Sequence, residues 1–158
     1  MKGLKVLESA LLIYLIVLGT LAFRQPPRIE LPSSGVFFVL YDNGYWKVNE
    51  DGWLIGVAND SDILKNVVVS GIDPNGLKVS DSDMKVLKGL KILNDPYVSS
   101  LNLRERYVIT VKGMVLYFRR WEDLNRYFEK FKKRMEYFSP KSVFYLYEGG
   151  RLVILRGD

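Results

Sequence analysis

The pattern of the chain is set first by residues 10–23, fourteen residues without a charge that are almost entirely apolar. Extended back to Leu4, the stretch has twenty residues, which as a helix span about 30 Å and match one bilayer core. The pattern therefore predicts a transmembrane anchor at residues 4–23. A cleaved signal peptide is the alternative, because Lys2 and Lys5 precede the run and residues 20–22 form a small-x-small cleavage site. A buried core helix fits less well, since no polar face interrupts the run.

A change of composition after residue 23 predicts the domain boundaries. Residues 1–23 are expected to form a short cytoplasmic tail and the anchor. Residues 24–34 contain Pro26 and Pro27, which cannot continue a helix and favour a short, stiff linker. Residues 35–158 have the length of one domain, which the linker holds near the bilayer. The expected localisation is the inner cell membrane with a single pass, and the very short N-terminal tail favours an extracytoplasmic C-terminal domain.

Alternating apolar residues and turn sequences after residue 35 predict β-strands. Gly44, Gly52 and Gly76 lie in turn sequences, and Lys112 with Gly113 is expected to form a two-residue hairpin turn. The predicted strands are residues 36–41, 45–48, 53–57, 67–70, 98–103, 107–111, 114–118, 143–147 and 151–155.

Two helices are predicted between these strands. Ser80 and the aspartates after it offer N-caps for a helix at residues 84–93. Residues 121–138 carry apolar side chains at alternating steps of three and four, which is typical of a helix that packs on a sheet. The fold class is therefore α+β, a mainly antiparallel β-sheet with two packed helices after a single transmembrane helix. The apolar stripe of the second helix comprises Trp121, Leu124, Phe128, Phe131, Met135 and Phe138.

The composition argues against catalysis. The chain has no cysteine and no histidine, which removes thiol chemistry, disulfides and the usual general base. Carboxylate pairs exist, Asp60 with Asp62 and Asp81 with Asp83, but loop and helix-cap roles explain both. The polar stretch at residues 59–62 lacks the spacing of a calcium-binding loop and is expected to be an ordinary loop. No catalytic residue, metal or cofactor is therefore predicted.

The formal net charge of +5 is modest and dispersed. Residues 130–134 are densely basic, but a solvated helix face explains them more simply than nucleic-acid binding. No nucleic-acid partner is therefore expected. For a domain beside a membrane, the charge is compatible with attraction to anionic headgroups or cell-wall polymers.

The order of these elements resembles the β-domain of the FtsQ/DivIB cell-division family. Residues 45–55, Tyr-Trp-Lys-Val-Asn-Glu-Asp-Gly-Trp-Leu-Ile, resemble a hairpin of that family. Residues 67–71 resemble the segment before its first helix, with Val68 where proline is usual. The helix at 121–138 and the hairpin at 143–155 are similar to the closing elements, although Phe-Tyr-Leu stands at 144–146 where the family has Asp-Leu-Arg. The family's POTRA domain has no counterpart between the anchor and the β-domain, so its functions are not carried over.

The resemblance implies a single-pass, non-catalytic scaffold of the division complex. Members of that family bind small coiled-coil partners of the FtsB, FtsL or DivIC type and help to control septal peptidoglycan synthesis. If the last hairpin leaves an edge strand, its unpaired N–H and C=O groups can accept a partner's strand. Both faces of residues 143–147 are apolar, so one is expected to pack on the core and the other to be covered by a partner or by another element of this chain. The candidate partner-binding residues are Val143, Phe144, Tyr145, Leu146, Tyr147, Leu152 and Ile154.

The alternative function is an extracytoplasmic module that binds cell-wall glycan or another ligand. The chain has ten tyrosines, eight phenylalanines and three tryptophans, enough to supply surface aromatics as well as a core. This hypothesis predicts a concave pocket lined by aromatic side chains.

Overall fold

The structure, a computed structural model, describes residues 35–156. The predicted anchor at residues 4–23 and the linker at 24–34 lie outside the described residues. Within residues 35–156, no helix is both long and apolar enough to cross a membrane.

Nine strands form one sheet with the spatial order β3-β2-β1-β4-β5-β6-β7-β8-β9. Five of the strand pairings are antiparallel and three are parallel, because β4 runs parallel to both β1 and β5, and β8 runs parallel to β7. The parallel pairs follow from helical crossover connections, which antiparallel hairpins do not need. The strands are β1 Phe38–Tyr41, β2 Tyr45–Val48, β3 Leu54–Val57, β4 Val68–Ser70, β5 Val98–Asn102, β6 Tyr107–Thr110, β7 Val115–Phe118, β8 Val143–Leu146 and β9 Leu152–Arg156.

The described residues contain three α-helices: α1 Asp60–Lys65, α2 Asp81–Lys88 and α3 Trp121–Lys132. The mixed α+β class is therefore confirmed, and α2 and α3 correspond to the two predicted helices. Single 3₁₀ turns follow at Lys91–Asn94 and Met135–Tyr137, so each predicted helix is an α-helix that ends early and continues as a tighter turn.

The prediction of a loop at residues 59–62 was wrong, because these residues begin α1. The side chain of Asn59 accepts a hydrogen bond from the backbone N–H of Asp62 at 2.9 Å, and the Asp62 carboxylate accepts from the N–H of Asn59 at 3.0 Å. This reciprocal capping box satisfies two N–H groups that a helix start leaves free. The polar residues of the stretch therefore start a helix.

The predicted two-residue turn between β6 and β7 is a three-residue loop. The N–H of Thr110 donates to the carbonyl of Met114 at 2.9 Å, and the N–H of Gly113 donates to the carbonyl of Thr110 at 2.8 Å. Gly113 has a φ of +75°, as a three-residue hairpin loop requires at its last position. Val111, Lys112 and Gly113 thus form the loop.

The main core lies on one face of the sheet, beneath α2 and α3. Leu124, Phe128 and Phe131 of α3 are buried in the same cluster as Leu116 of β7 and Phe144 of β8. The predicted apolar stripe is confirmed, since Met135 is also buried and its two end residues pack partly against the core.

The other face of the sheet is covered near β1 and β2 by α1. Val39 of β1 is fully buried but does not belong to the main core. Lys47 lies opposite Val39 in the β1–β2 register, and its Nζ is 3.9 Å from a carboxylate oxygen of Asp62 in α1. We call this whole face, opposite the main core, the open face.

Candidate functional site: the β9 edge

The strand β9 is an edge of the sheet, with β8 on one side and no strand on the other within residues 35–156. The opposite edge, β3, is partly protected. The N–H of Leu54 donates to the carbonyl of Leu77 at 2.9 Å, and Trp53 and Lys78 form a β-bridge. The β9 edge is therefore the one that is left to accept another strand.

The last turn of the chain fixes which groups of β9 bond to β8. The N–H of Tyr147 donates to the carbonyl of Arg151 at 2.9 Å, so these two residues face each other as a hydrogen-bonded pair. Hydrogen-bonded and non-hydrogen-bonded pairs alternate along an antiparallel ladder. Tyr145 and Val153, the pair two positions further along, are thus hydrogen-bonded to each other.

The intervening residues of β9 present their backbone groups outward. Leu152 lies opposite Leu146 and Ile154 lies opposite Phe144, both at non-hydrogen-bonded positions. The N–H and C=O groups of Leu152 and Ile154 consequently point away from β8. These four groups form a row that an added strand can bond.

The predicted site residues divide between the two faces. Phe144 and Leu146 are buried in the main core, so they do not contribute to an exposed surface. Val143 and Tyr145 are half-buried on the open face, and the alternation along β8 confirms that one face of this strand packs on the core.

Of the remaining predicted residues, Tyr147 directly follows β8, and Leu152 and Ile154 belong to the edge strand β9. Tyr147 is 42% exposed and Ile154 is 51% exposed, whereas Leu152 is half-buried against the core. The structure thus brings five of the seven predicted residues to the open face or the edge. Leu155, which was not among the predicted residues, is also more than half exposed there.

The turn before β9 is held against α3. Gly149 and Gly150 both have positive φ values, of +75° and +79°. A Cβ atom on Gly150 would lie 2.6 Å from the ring of Tyr127, whereas one on Gly149 would meet nothing within 4 Å. Only glycine allows this close approach at position 150, and the approach positions the start of β9.

A shallow pocket of about 360 Å³ lies beside this turn and includes two arginines that sequence reasoning missed. The guanidinium of Arg151 lies 5.1 Å from the ring centre of Tyr147, whose ring is 4.5 Å from that of Tyr145. An Arg119 nitrogen is 3.9 Å from a carboxylate oxygen of Glu148. Arg119 and Arg151 are far apart in the sequence, and the parallel pairing of β7 with β8 brings them together.

The carboxylate pairs considered for catalysis lie at helix starts. Asp62 belongs to the capping box of α1, and Asp83 of α2 receives a hydrogen bond of 2.8 Å from the Ser80 hydroxyl. Asp81 pairs with Lys78 at 3.0 Å. Residues 35–156 contain no cluster of acidic residues that could hold a metal ion.

Comparison with known families assigns the chain to one of them. A family model described as a domain of unknown function, DUF4894, matches residues 38–156. The chain belongs to the DUF4894 family. The match spans all nine strands of the DUF4894 domain, from β1 to β9. Searches of curated proteins and of solved structures found no significant match.

Proposed function

We propose that this protein is a membrane-anchored, non-catalytic scaffold of the bacterial cell-division complex, which binds a partner by strand addition along β9. The observation that carries the proposal is the row of outward N–H and C=O groups at Leu152 and Ile154 on an edge strand. Exposed polar backbone of this kind is a template for another strand. The resemblance of the elements from about Val36 onward to the FtsQ/DivIB β-domain suggests the cellular context of the proposal.

Backbone pairing alone supplies modest affinity. One hydrogen bond makes a net contribution of about 0.5–1.5 kcal/mol to the free energy of binding. The few bonds available along β9 therefore need support from side-chain contacts. Ile154 and Leu155 are exposed apolar residues at the edge, and Tyr147 and Arg151 form an aromatic and cationic pair beside it. Tyrosine and arginine are favoured anchors of protein interfaces.

The proposed partners are FtsB-, FtsL- or DivIC-type proteins anchored in the same inner membrane. Residues 4–23 would hold this protein in the bilayer with the DUF4894 domain outside the cytoplasm. Tethering of both proteins to one membrane raises their effective concentration. The β9 edge can therefore be occupied even if its affinity for the partner's strand is weak.

A binding experiment tests the proposal. The full chain in lipid nanodiscs is titrated with the ectodomains of the FtsB-, FtsL- and DivIC-type proteins from the same cell. The Tyr147→Lys variant is expected to bind at least about tenfold more weakly, a loss of about 1.4 kcal/mol. Tyr137→Lys is the matched control, because Tyr137 is 84% exposed and lies after α3. Absence of binding to every ectodomain, or an equal effect of the two substitutions, would show that the proposal is wrong.

A further inference from the structure

A second concave surface lies on the open face, between α1 and the middle strands. It is a groove of about 1200 Å³, which is larger than the roughly 300–1000 Å³ of typical small-molecule pockets. Val68 of β4 and Ser100 of β5, which face each other in the strand register, lie on its floor. Its size suits an extended, oligomeric ligand.

Two tyrosines form an aromatic pair in the wall of this groove. Tyr41 and Tyr45 pair across the β1–β2 hairpin, with ring centres 5.0 Å apart and planes inclined by 45°. Both are more than 40% exposed. Rings of this kind provide an apolar face and a polar hydroxyl tip in one side chain.

Three polar side chains in the lining of the groove have no partner among the described residues. Within residues 35–156, the side chains of Ser100, Asn94 and Glu50 make no hydrogen bond or ion pair with the protein. The Asn94 amide and the Ser100 hydroxyl can both donate and accept hydrogen bonds, and the Glu50 carboxylate can accept them. Lys65 adds one positive charge, which balances the single negative charge of Glu50, so the free groups together carry no net charge.

These properties distinguish between classes of ligand. The strands β1, β4 and β5 are paired on both sides, so an extended peptide finds no free backbone groups there. A polyanion such as a nucleic acid needs a dense row of cations, which the groove lacks. A glycan needs neither, because a sugar ring has an apolar C–H face that packs on an aromatic ring and a rim of hydroxyls that bond to polar side chains.

We propose that the groove between α1 and β5 binds an uncharged oligosaccharide, with Tyr41 and Tyr45 as the packing surface and Ser100, Asn94 and Glu50 as hydrogen-bonding groups. The groove and the β9 edge are independent sites. Four strand spacings separate β5 from β9, a distance of about 19 Å. Glycan binding therefore does not depend on strand addition.

Titration of the full chain in nanodiscs with chitohexaose, cellohexaose and maltohexaose tests this proposal by calorimetry. Saturable binding of at least one sugar at up to millimolar concentration is expected. Tyr45→Ala should weaken it by about tenfold, the scale of one aromatic contact. Ser100→Leu, which places an apolar side chain on the floor of the groove, should weaken it further, whereas Tyr137→Ala should leave it unchanged.

Several results would overturn the proposal. One is the absence of saturable binding to all three sugars. Another is sugar binding that survives both Tyr45→Ala and Ser100→Leu in proteins whose unfolding temperatures match the parent. Binding of a random peptide mixture that Tyr45→Ala abolishes, without sugar binding, would identify the groove as a peptide site instead.

Discussion

The N–H of Tyr147 donates to the carbonyl oxygen of Arg151, and this bond determines the chemistry of the whole β9 edge. Because bonded and non-bonded pairs alternate, it turns the backbone groups of Leu152 and Ile154 away from the sheet. A shift of the register by one residue would turn the opposite set outward and exchange the two faces of the strand.

Proline substitutions in β9 distinguish N–H groups that point outward from N–H groups that bond to β8. Ile154→Pro removes an N–H that has no partner in β8, so stability should change little while strand addition is blocked. Val153→Pro removes an N–H that bonds to Tyr145 and should lower the free energy of unfolding by about 1–3 kcal/mol. Urea unfolding and partner titration of both variants provide the measurement. Equal destabilisation by the two prolines would contradict the register.

The glycine pair before β9 offers a matched comparison of steric contact. Gly149→Ala incurs only the conformational cost of a left-handed residue, about 1–2 kcal/mol. Gly150→Ala incurs a similar cost and also forces its Cβ against Tyr127. The free energy of unfolding from urea titration should therefore fall further for Gly150→Ala. Equal losses would mean that Tyr127 moves aside freely.

Packing of α3 on β8 should dominate the stability of the domain. Phe128 is 2% exposed and its ring lies 6.1 Å from that of Phe131, which packs edge-on against Phe144 at 5.3 Å. Phe128→Ala is expected to lower the free energy of unfolding by about 3–5 kcal/mol. Tyr137→Ala, at an exposed position, should change it by less than about 0.5 kcal/mol. A small loss for Phe128→Ala in urea unfolding would argue against this core.

The loop before β5 is tied to α3 by a lysine whose charge affects stability at alkaline pH. Lys132 Nζ donates to Asp95 at 2.7 Å and to Glu129 at 2.9 Å, and these bonds raise the pKa of Lys132 above its ordinary value. A raised lysine pKa stabilises the folded state below the unfolded-state pKa of about 10.4, and this contribution is lost as the pH rises through the folded-state pKa.

The Lys132→Met variant tests this linkage. The difference in unfolding temperature between the parent and the variant should be constant from neutral pH to about 10 and should then shrink. Lys130→Met is a control on the same helix, since Lys130 makes no ion pair within the described residues. A difference that grows at alkaline pH would contradict the assignment.

Most strands were predictable because their residues alternate between core and solvent, as the β8 residues Phe144 and Leu146 illustrate. Their spatial order was not predictable, because a period of two identifies a strand without naming its neighbours. The parallel pairing of β8 with β7, which leaves β9 at the edge, depends on the single crossover through α3.

The helix α1 escaped prediction for a different reason. It has six residues and none of them is buried, so it has no apolar stripe for a pattern to detect. Its capping box, Asn59 with Asp62, is a sequence signature that reads equally well as a polar loop. The groove beside α1 was consequently not predictable from the sequence, and neither was the position of Arg119 and Arg151 beside the same pocket.

Amide hydrogen exchange at β9 is the measurement that tests strand addition most directly. The full chain in nanodiscs is compared with and without a saturating FtsB-, FtsL- or DivIC-type ectodomain that binds it. If a partner's strand adds to β9, the N–H groups of Leu152 and Ile154 should exchange rapidly in the protein alone and become protected in the complex, while the N–H of Val153 is protected in both. Binding that leaves Leu152 and Ile154 exchanging as fast as before would show that strand addition at β9 is wrong.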